Sequence, residues 1–142
     1  MSSPASLPKE IHRSAERGEL QKVVKWLRKG GLVDALCPAT AATGQTTAVT
    51  LLHVAAGCGH LAMVKELLKR GASIDLQTSL GWTALMESAR NGHLSIAKEL
   101  LKRGASVDLP SSLGATALME AAGYGYPSIV LVLLQHSANP DL

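Results

Sequence analysis

Residues 81–108 read GWTALMESARNGHLSIAKELLKRGASVD, and the rest of the chain is organised around this stretch. Its threonine, Thr83, lies midway between two counterparts, Thr50 and Thr116. The same step along the chain links Gly59, Gly92 and Gly125, then Gly71 and Gly104, and then Asp75, Asp108 and Asp141. Because a fixed period of about 20 to 50 residues is the signature of repeated structural units, the sequence predicts stacked repeats rather than one globular core.

Each repeat carries the apolar spacing of two helices. In the stretch 61–70, Leu61, Val64, Leu67 and Leu68 recur at the intervals of one helical face, and Gly71 follows as the residue type that ends many helices. The same pattern predicts a helix pair within 9–30, and helices over 51–57, 61–70, 83–91, 94–103, 116–124 and 128–135. One such pair cannot bury its apolar face alone, so about three or more must stack.

The repeat resembles a known family, the ankyrin repeat. TLLHVAA at 50–56, GHL at 59–61 and LLKRGA at 67–72 carry the resemblance, as do TAL at 83–85 with GHL at 92–94, and TAL at 116–118. It extends over about residues 9–142. The resemblance implies an all-α solenoid of stacked helix-turn-helix units with protruding β-turn fingers. It also implies that the concave face binds a protein partner, and that the domain has no catalysis.

The sequence departs from the family pattern at three kinds of position. The usual proline after the threonine is replaced by Leu51, Ala84 and Ala117. The histidine of the family motif is present as His12 and His53 but replaced by Met86 and Met119. Ser137 stands where Gly71 and Gly104 stand. We expect these changes to alter local stability and to leave the fold unchanged.

The period divides the chain into a flexible lead-in, residues 1–8, and four repeats at about 9–34, 46–75, 79–108 and 112–142. One interval is longer than the others, because the step from Gly18 to Gly59 exceeds the step from Gly59 to Gly92 by eight. The extra residues lie at about 35–48, which are rich in Ala and Thr. This composition predicts an elongated loop between the first two repeats.

Composition limits the classes of function. The chain has 142 residues, of which 46% are hydrophobic, and this share excludes a disordered chain. The absence of Phe leaves mainly Leu, Ala, Val and Ile, which suit closely packed helices. The net charge of +3 is too small to indicate nucleic acid by itself.

No targeting or membrane segment is visible. The start, MSSPASLPKE, lacks the basic and apolar regions of a secretory signal. The longest strongly apolar run, residues 129–134, is far shorter than the roughly 20 residues that span a bilayer. Cys37 and Cys58 show no pairing pattern. We therefore expect an intracellular protein, cytoplasmic rather than nuclear, with no membrane partner.

The two terminal repeats differ from each other. In the first, Lys22 occupies the position of Met63 and Ser14 that of Ala55, and such polar replacements predict a face turned to water. In the last, Leu131 and Val132 occupy the positions of Lys98 and Glu99. These two residues predict an apolar C-terminal face, which would be covered by further repeats, by a second copy or by another domain.

Trp82 is the residue that most strongly indicates a binding surface. It directly precedes Thr83, at the position of Val49 and Ala115, and Trp is enriched among the residues that dominate binding energy at interfaces. The family geometry would place seven residues beside it on the concave side. The predicted partner-binding residues are thus Leu80, Trp82, Glu87, Arg90, Asn91, Leu113, Glu120 and Tyr124. The alternatives are that Trp82 only packs between fingers and that the charged residues form a solvated surface.

Metal and nucleic-acid sites are disfavoured by spacing. His60 and His93 lie one repeat apart, about 10 Å, whereas zinc needs clustered ligands at about 2 Å. The basic pairs 28–29, 69–70 and 102–103 could follow phosphates, but each closes a helix, where cations are favoured by the helix dipole. We therefore predict no metal, no cofactor and no nucleic-acid partner.

Catalysis is a remote alternative. The sequence has no nucleophile elbow, no phosphate-binding loop and no dinucleotide fingerprint. Glu87 and Glu120 could be paired carboxylates, but about 10 Å of separation is near the upper limit for an inverting glycosidase. Cys58 is a lone thiol in a turn of small residues, which is usually inert. We predict no catalytic residues and no small-molecule substrate.

Overall fold

The computed structural model describes residues 6–40, 44 and 46–136, and these form eight helices and two short strands. The helices are α1 (Lys9–Glu16), α2 (Leu20–Arg28), α3 (Leu51–Cys58), α4 (Leu61–Lys69), α5 (Ala84–Asn91), α6 (Leu94–Lys102), α7 (Ala117–Gly123) and α8 (Pro127–Gln135). The predicted all-α repeat architecture is confirmed. Ser137 and Asp141, which the repeat pattern singled out, lie outside the described residues.

The recurring threonine begins the first helix of each of the last three repeats. Thr50, Thr83 and Thr116 are the N-caps of α3, α5 and α7, and each hydroxyl accepts a hydrogen bond from the backbone N–H three residues later, at 3.5, 3.2 and 3.3 Å. Gly59 and Gly92 end α3 and α5 in the left-handed region, with φ of 84° and 76°. The cap and the glycine thus set the two ends of the helix.

The helices form two layers. The first helices, α1, α3, α5 and α7, contact one another in chain order, and α4, α6 and α8 do the same on the other side. The core lies between the layers and is almost entirely aliphatic. Its fully buried side chains include Leu51, Met63, Val64, Leu67, Leu85, Met86, Ile96, Leu100, Ile129 and Leu133.

Polar contacts join each repeat to the one before it. His60 donates from Nε2 to the carbonyl of Glu16 at 2.8 Å, and His93 donates from Nε2 to the carbonyl of Gly57 at 3.0 Å. Both acceptors lie near the C-terminal end of a first helix, where carbonyl groups lack helical partners. The histidines are therefore structural links between repeats.

A second series of contacts runs along the opposite edge of the repeats. The Asp34 carboxylate accepts from the backbone N–H and the hydroxyl of Ser73, at 3.0 and 2.6 Å. Asp75 accepts from Ser106 in the same way, at 2.8 and 2.7 Å. Because the contact recurs in the same form, neighbouring repeats are held in a constant register.

The insertion between the first two repeats is not the loop that was predicted. Two antiparallel strands, β1 (Cys37–Thr40) and β2 (Thr46–Val49), pair there, with Cys37 opposite Val49. Cys37 is buried as a free thiol. Extended Ala/Thr-rich chain is compatible with strand, and pairing satisfies the backbone groups that a long loop would leave open.

The lead-in also differs from the prediction where it is described. Ser6 forms a parallel bridge with Leu36, and the Leu7 N–H donates to the Leu36 carbonyl at 3.0 Å. Leu7 is buried, with 4% of its surface exposed. Residues 6–8 therefore belong to the folded domain, because Leu7 fills part of the core beside the hairpin.

The predicted polar first face is only partly right. Lys22 is exposed and pairs with Glu19 at 3.1 Å, as a residue facing water can. Ser14 is instead buried, with 4% exposed. Its position is buried in the other repeats too, where it is occupied by Ala55, Ser88 and Ala121. Within the described part of the chain, none of the helices is both long and apolar enough to span a membrane.

Candidate functional site

A tight turn holds Trp82 at the base of a finger. The Thr78 N–H donates to the Trp82 carbonyl at 2.9 Å, and the Gly81 N–H donates to the Thr78 carbonyl at 2.8 Å. Gly81 has φ of 81°, which the turn requires. The next finger is held to this one, because the Ser112 N–H donates to the Leu80 carbonyl at 3.0 Å.

Arg90 lies against two aromatic rings. Its guanidinium carbon is 5.4 Å from the centroid of Trp82 and 5.6 Å from the centroid of Tyr124. We call these three residues the arginine cluster. Both rings attract the cation through their π faces, which restrains a long and otherwise mobile side chain. Arg90 and Tyr124 are exposed, whereas Trp82 is half-buried and also packs on the core.

Glu87 lies beside the arginine cluster, and the pKa of its carboxyl differs from that of an ordinary glutamate. Burial raises the pKa of its carboxyl from 4.5 to about 7; the nearby Arg90 charge opposes this rise and the Glu120 charge adds to it. The carboxyl therefore keeps its proton to a higher pH than an ordinary glutamate does. When protonated, it can donate as well as accept a hydrogen bond.

A groove of about 310 Å³ adjoins this surface. We call it the inner groove, and it is lined by His12, Glu16, Val49, His53, Val54, Gly57, Cys58, Glu87 and Asn91. These residues come from α1, α3 and α5 and from the end of β2, so the groove runs across three repeats. Glu87 and Asn91 make it continuous with the arginine cluster.

The structure separates the predicted partner-binding residues into two groups. Trp82, Glu87, Arg90, Asn91, Glu120 and Tyr124 come together around the arginine cluster. The Asn91 amide donates to the Glu87 carbonyl at 2.8 Å, which fixes its position at the end of α5. Leu80 and Leu113 lie instead on the turns of successive fingers, where Leu113 is 96% exposed.

Sequence reasoning missed most of the inner groove. The signal that could have found it is the period itself. Val54, Gly57 and Cys58 stand one period before Glu87, Arg90 and Asn91, so the surface predicted for the third repeat continues into the second. His53 could not be found in this way, because its counterpart Met86 was not among the predicted residues, and His12 and Glu16 stand at the positions of His53 and Gly57 on the other side of the insertion.

The two residues of the predicted C-terminal apolar face differ in exposure. Leu131 is 57% exposed. Val132 is buried, with 8% exposed, and packs against the core. The pattern placed Val132 at the surface because its counterpart is Glu99, but that position is itself largely covered, since the Glu99 side chain is only 11% exposed.

The Cys58 thiol gives no support to catalysis, and Arg70 and Arg103 give none to phosphate binding. Desolvation and the charges of Glu16 and Glu87 raise the pKa of the Cys58 thiol, which makes the reactive thiolate scarcer. Arg70 and Arg103 are each engaged by a glutamate one turn earlier, at 2.8 and 2.6 Å. In the regions that the structure describes, no group of three or more His, Cys, Asp or Glu side chains could hold a metal ion.

Comparison with protein families finds one described as "Ankyrin repeats (3 copies)", which matches residues 11–111 and 52–142. Together these two matches extend over nearly the whole chain. Their overlap reflects the period, since the same family pattern can be laid on the chain in two registers. No curated protein matches the chain.

Proposed function

The chain belongs to the ankyrin-repeat family, and from this premise we propose that it is a scaffold that holds a partner protein against the concave, first-helix side of the stack. Ankyrin repeats generally mediate protein–protein interactions. The proposed contact surface consists of the inner groove and the arginine cluster. Leu80 and Leu113 on the fingers would extend it.

The main support for the proposal is that the inner groove continues into the arginine cluster, where the exposed Arg90 side chain is restrained. Arg90 offers several N–H donors in a fixed plane and stacks on two rings. Restraint before binding lowers the entropy that is lost when a partner is fixed. Arg and aromatic side chains are also the types that dominate interface energies.

The chemistry of the surface indicates a partner segment of mixed character. Arg90 can receive a carboxylate, and Glu120, whose charge acts on Glu87, can receive a cation. Glu16 lies on α1 at the other end of the groove, where it contacts His12 at 3.1 Å. Val49, Val54 and Gly57 give the floor of the groove an apolar part. Such a surface suits a folded or extended protein segment more than a single small charged molecule.

The proposal is tested by capture from native extract on the immobilised full chain, followed by calorimetric titration of the captured protein. Arg90→Ala and Tyr124→Ala should each weaken binding by at least about tenfold. Trp82→Ala is a poorer test, because Trp82 also packs on the core. Lys98→Ala, an exposed change on α6 away from the groove, is the matched control.

Equal affinity of all four proteins, wild type and the three variants, would contradict the proposed site. If only Lys98→Ala lost binding, the interface would have to lie on the side of the second helices. We propose no catalytic role, since ankyrin repeats are typically non-enzymatic and Glu87 and Glu120 serve the binding surface instead.

A further inference from the structure

The Glu87 carboxyl has no partner within the part of the chain that the structure describes. It forms no ion pair and accepts no hydrogen bond from any described residue. Glu16, the other carboxyl that lines the inner groove, already contacts the His12 ring at 3.1 Å. Glu87 is therefore the acidic group of the groove that is left to receive a polar group from outside.

The Arg90 cation of the same helix does not neutralise Glu87. It follows Glu87 by three residues, a spacing at which side chains on a helix can pair, but its guanidinium lies over the rings of Trp82 and Tyr124 instead. Burial raises the pKa of Glu87, the Arg90 charge offsets only part of this rise, and the Glu120 charge adds to it. A further cation beside Glu87 would stabilise its charged form.

Gly57 leaves an open space beside this carboxyl, which we call the notch. The first repeat has Glu16 and the third has Arg90 at the same position, whereas the second repeat has no side chain there. A carbon added at Gly57 would lie 3.3 Å from Glu87 Oε2 and 3.7 Å from the amide nitrogen of Asn91. The missing side chain thus keeps both groups accessible from the groove.

The fold itself does not require glycine at this position. Gly57 lies within α3, where glycine is less favourable than alanine. It is not among the glycines with positive φ, so its conformation is open to other residues. Its carbonyl accepts from His93 Nε2 at 3.0 Å, which holds the backbone of the notch in place. The space beside Glu87 is therefore the property of Gly57 that packing leaves unused.

The lining of the inner groove suits a cation at the end of an apolar chain. Of the described residues that line it, none is Lys or Arg, while Glu16 and Glu87 are both acidic. The charges of both carboxylates act on Cys58, so both reach into the groove. Val49 and Val54 add apolar contact. Lysine and arginine side chains combine these properties, because each carries its cation on a stem of methylene groups.

We propose that the inner groove receives one basic side chain of the partner protein, with its cation on the Glu87 carboxylate at the notch and its methylene groups against Val49 and Val54. The inference rests on the proposed function, since it assigns the chemistry of the partner at that same surface. It also gives the two parts of the surface different tasks. The groove takes a cation of the partner, and Arg90 on its two rings remains available for a carboxylate.

Nuclear magnetic resonance titration of the isotope-labelled full chain tests the inference without the partner. The probe is Nα-acetyl-lysine methylamide, and the control probe is its norleucine analogue, which keeps the carbon chain but lacks the ammonium group. The lysine probe should cause saturable shifts in the backbone amides of Gly57, Cys58, Glu87 and Asn91, with a dissociation constant on the order of millimolar. The norleucine probe should bind at least about fivefold more weakly.

Two substitutions and one matched control locate the contact. Glu87→Gln removes the charge and Gly57→Ala fills the notch, and each should weaken binding of the lysine probe by at least about fivefold. Gly123→Ala is the control and should leave the affinity unchanged. Gly123 stands at the same position of the fourth repeat, at the end of α7, and no other described part of the chain lies within 4 Å of a carbon added there.

The glycine substitutions keep the test independent of folding. Alanine is the better helix former of the two residue types, so Gly57→Ala and Gly123→Ala should both fold. Thermal unfolding followed by circular dichroism checks this for every variant. A loss of binding that appears only in Gly57→Ala then reports the filled notch and not a damaged helix.

Three results would overturn the inference. The lysine probe could cause no saturable shifts in the groove up to about 50 mM. The norleucine probe could bind as tightly as the lysine probe, which would leave no role for the cation. Gly57→Ala could bind the lysine probe as well as Gly123→Ala does, which would place the probe away from the notch.

Failure of this inference differs from failure of the proposed function. If Arg90→Ala weakens binding of the captured protein while Glu87→Gln and Gly57→Ala do not, the scaffold function stands and this inference is wrong. If Arg90→Ala leaves the captured protein bound but the lysine probe still depends on Glu87 and Gly57, the groove takes a basic side chain without help from the arginine cluster.

Discussion

Glu87 shows how a change of residue type at one position of the repeat alters the local electrostatics. The same position in the second repeat is Val54, which is buried. Glu87 is less buried than Val54 but carries a carboxyl, and desolvation raises the pKa of this carboxyl to about 7. A carboxyl that folding desolvates without an ion pair lowers stability once it ionises. The binding role proposed above would account for this cost.

Glu87→Gln should change the pH dependence of stability. Since the folded pKa is raised, wild type loses stability as pH rises from about 4.5 to about 7, and the variant should not. At pH 8 the variant should be more stable by up to about 3 kcal/mol. Urea unfolding of both proteins between these pH values measures the difference. Glu120→Gln removes only the repulsion between the two carboxylates, so it should recover a smaller part of the lost stability. If the stability of Glu87→Gln and that of wild type depended on pH in the same way, the raised pKa of Glu87 would be refuted.

His53 connects three elements at once. Its Nδ1 accepts from the Thr50 N–H at 3.2 Å and so completes the N-cap of α3. Its Nε2 lies 2.8 Å from the Leu76 carbonyl and 3.0 Å from the Trp82 carbonyl. The ring thus ties α3 to the next finger and helps to place Trp82. Burial lowers the pKa of His53, although the two backbone contacts oppose this shift.

His53→Met, which copies the residue of the third repeat, should lower stability by about 1–3 kcal/mol at pH 8, because the cap and finger links are lost. Since the folded pKa is lowered, wild type loses stability as pH falls below the unfolded value of about 6.5. The difference in stability between wild type and His53→Met should therefore become smaller toward pH 5. Denaturant unfolding measures it, with exposed His136→Met as a control that should change stability by less than about 0.5 kcal/mol. A stability difference that becomes larger at acid pH would contradict this account.

On the scale of the whole molecule, stability comes from contacts between successive repeats. Gly18, Gly59 and Gly92 each lie under a ring of the next repeat, contributed by His60, His93 and Tyr126 respectively. Each glycine has positive φ, so it both ends a helix and lets the next repeat approach closely. Gly125 has positive φ too, but in the part of the chain that the structure describes no atom lies near its missing side chain.

Gly92→Ala and Gly125→Ala separate these two roles. Both substitutions impose a left-handed conformation on alanine, which costs about 1–2 kcal/mol. Only at Gly92 would the added carbon also meet a ring, 2.5 Å from Tyr126, so that variant should lose about 1–3 kcal/mol more. Equilibrium unfolding of both variants gives the difference. Equal losses would mean that the ring contact does not limit the approach of the fourth repeat.

Much of the proposed binding surface could be predicted once the period was known. Trp82, Arg90 and Tyr124 were expected together, and they are, because a translational repeat brings corresponding first helices side by side. The role of Arg90 between two rings could not be predicted. Tyr124 lies one position past the counterpart of Arg90 in the next repeat, so their contact depends on how α5 and α7 lie against each other.

The sequence alone determined the repeat, the limits of its helices and the aliphatic core, because period, cap and apolar spacing are local properties that recur in register. The tertiary structure decided which of these positions are covered. It turned the Ala/Thr-rich insertion into a hairpin, buried Ser14 and Val132, and left Met119 open while closing Met86. Burial depends on the neighbouring repeat as well as on the residue, and that neighbour is absent from any local pattern.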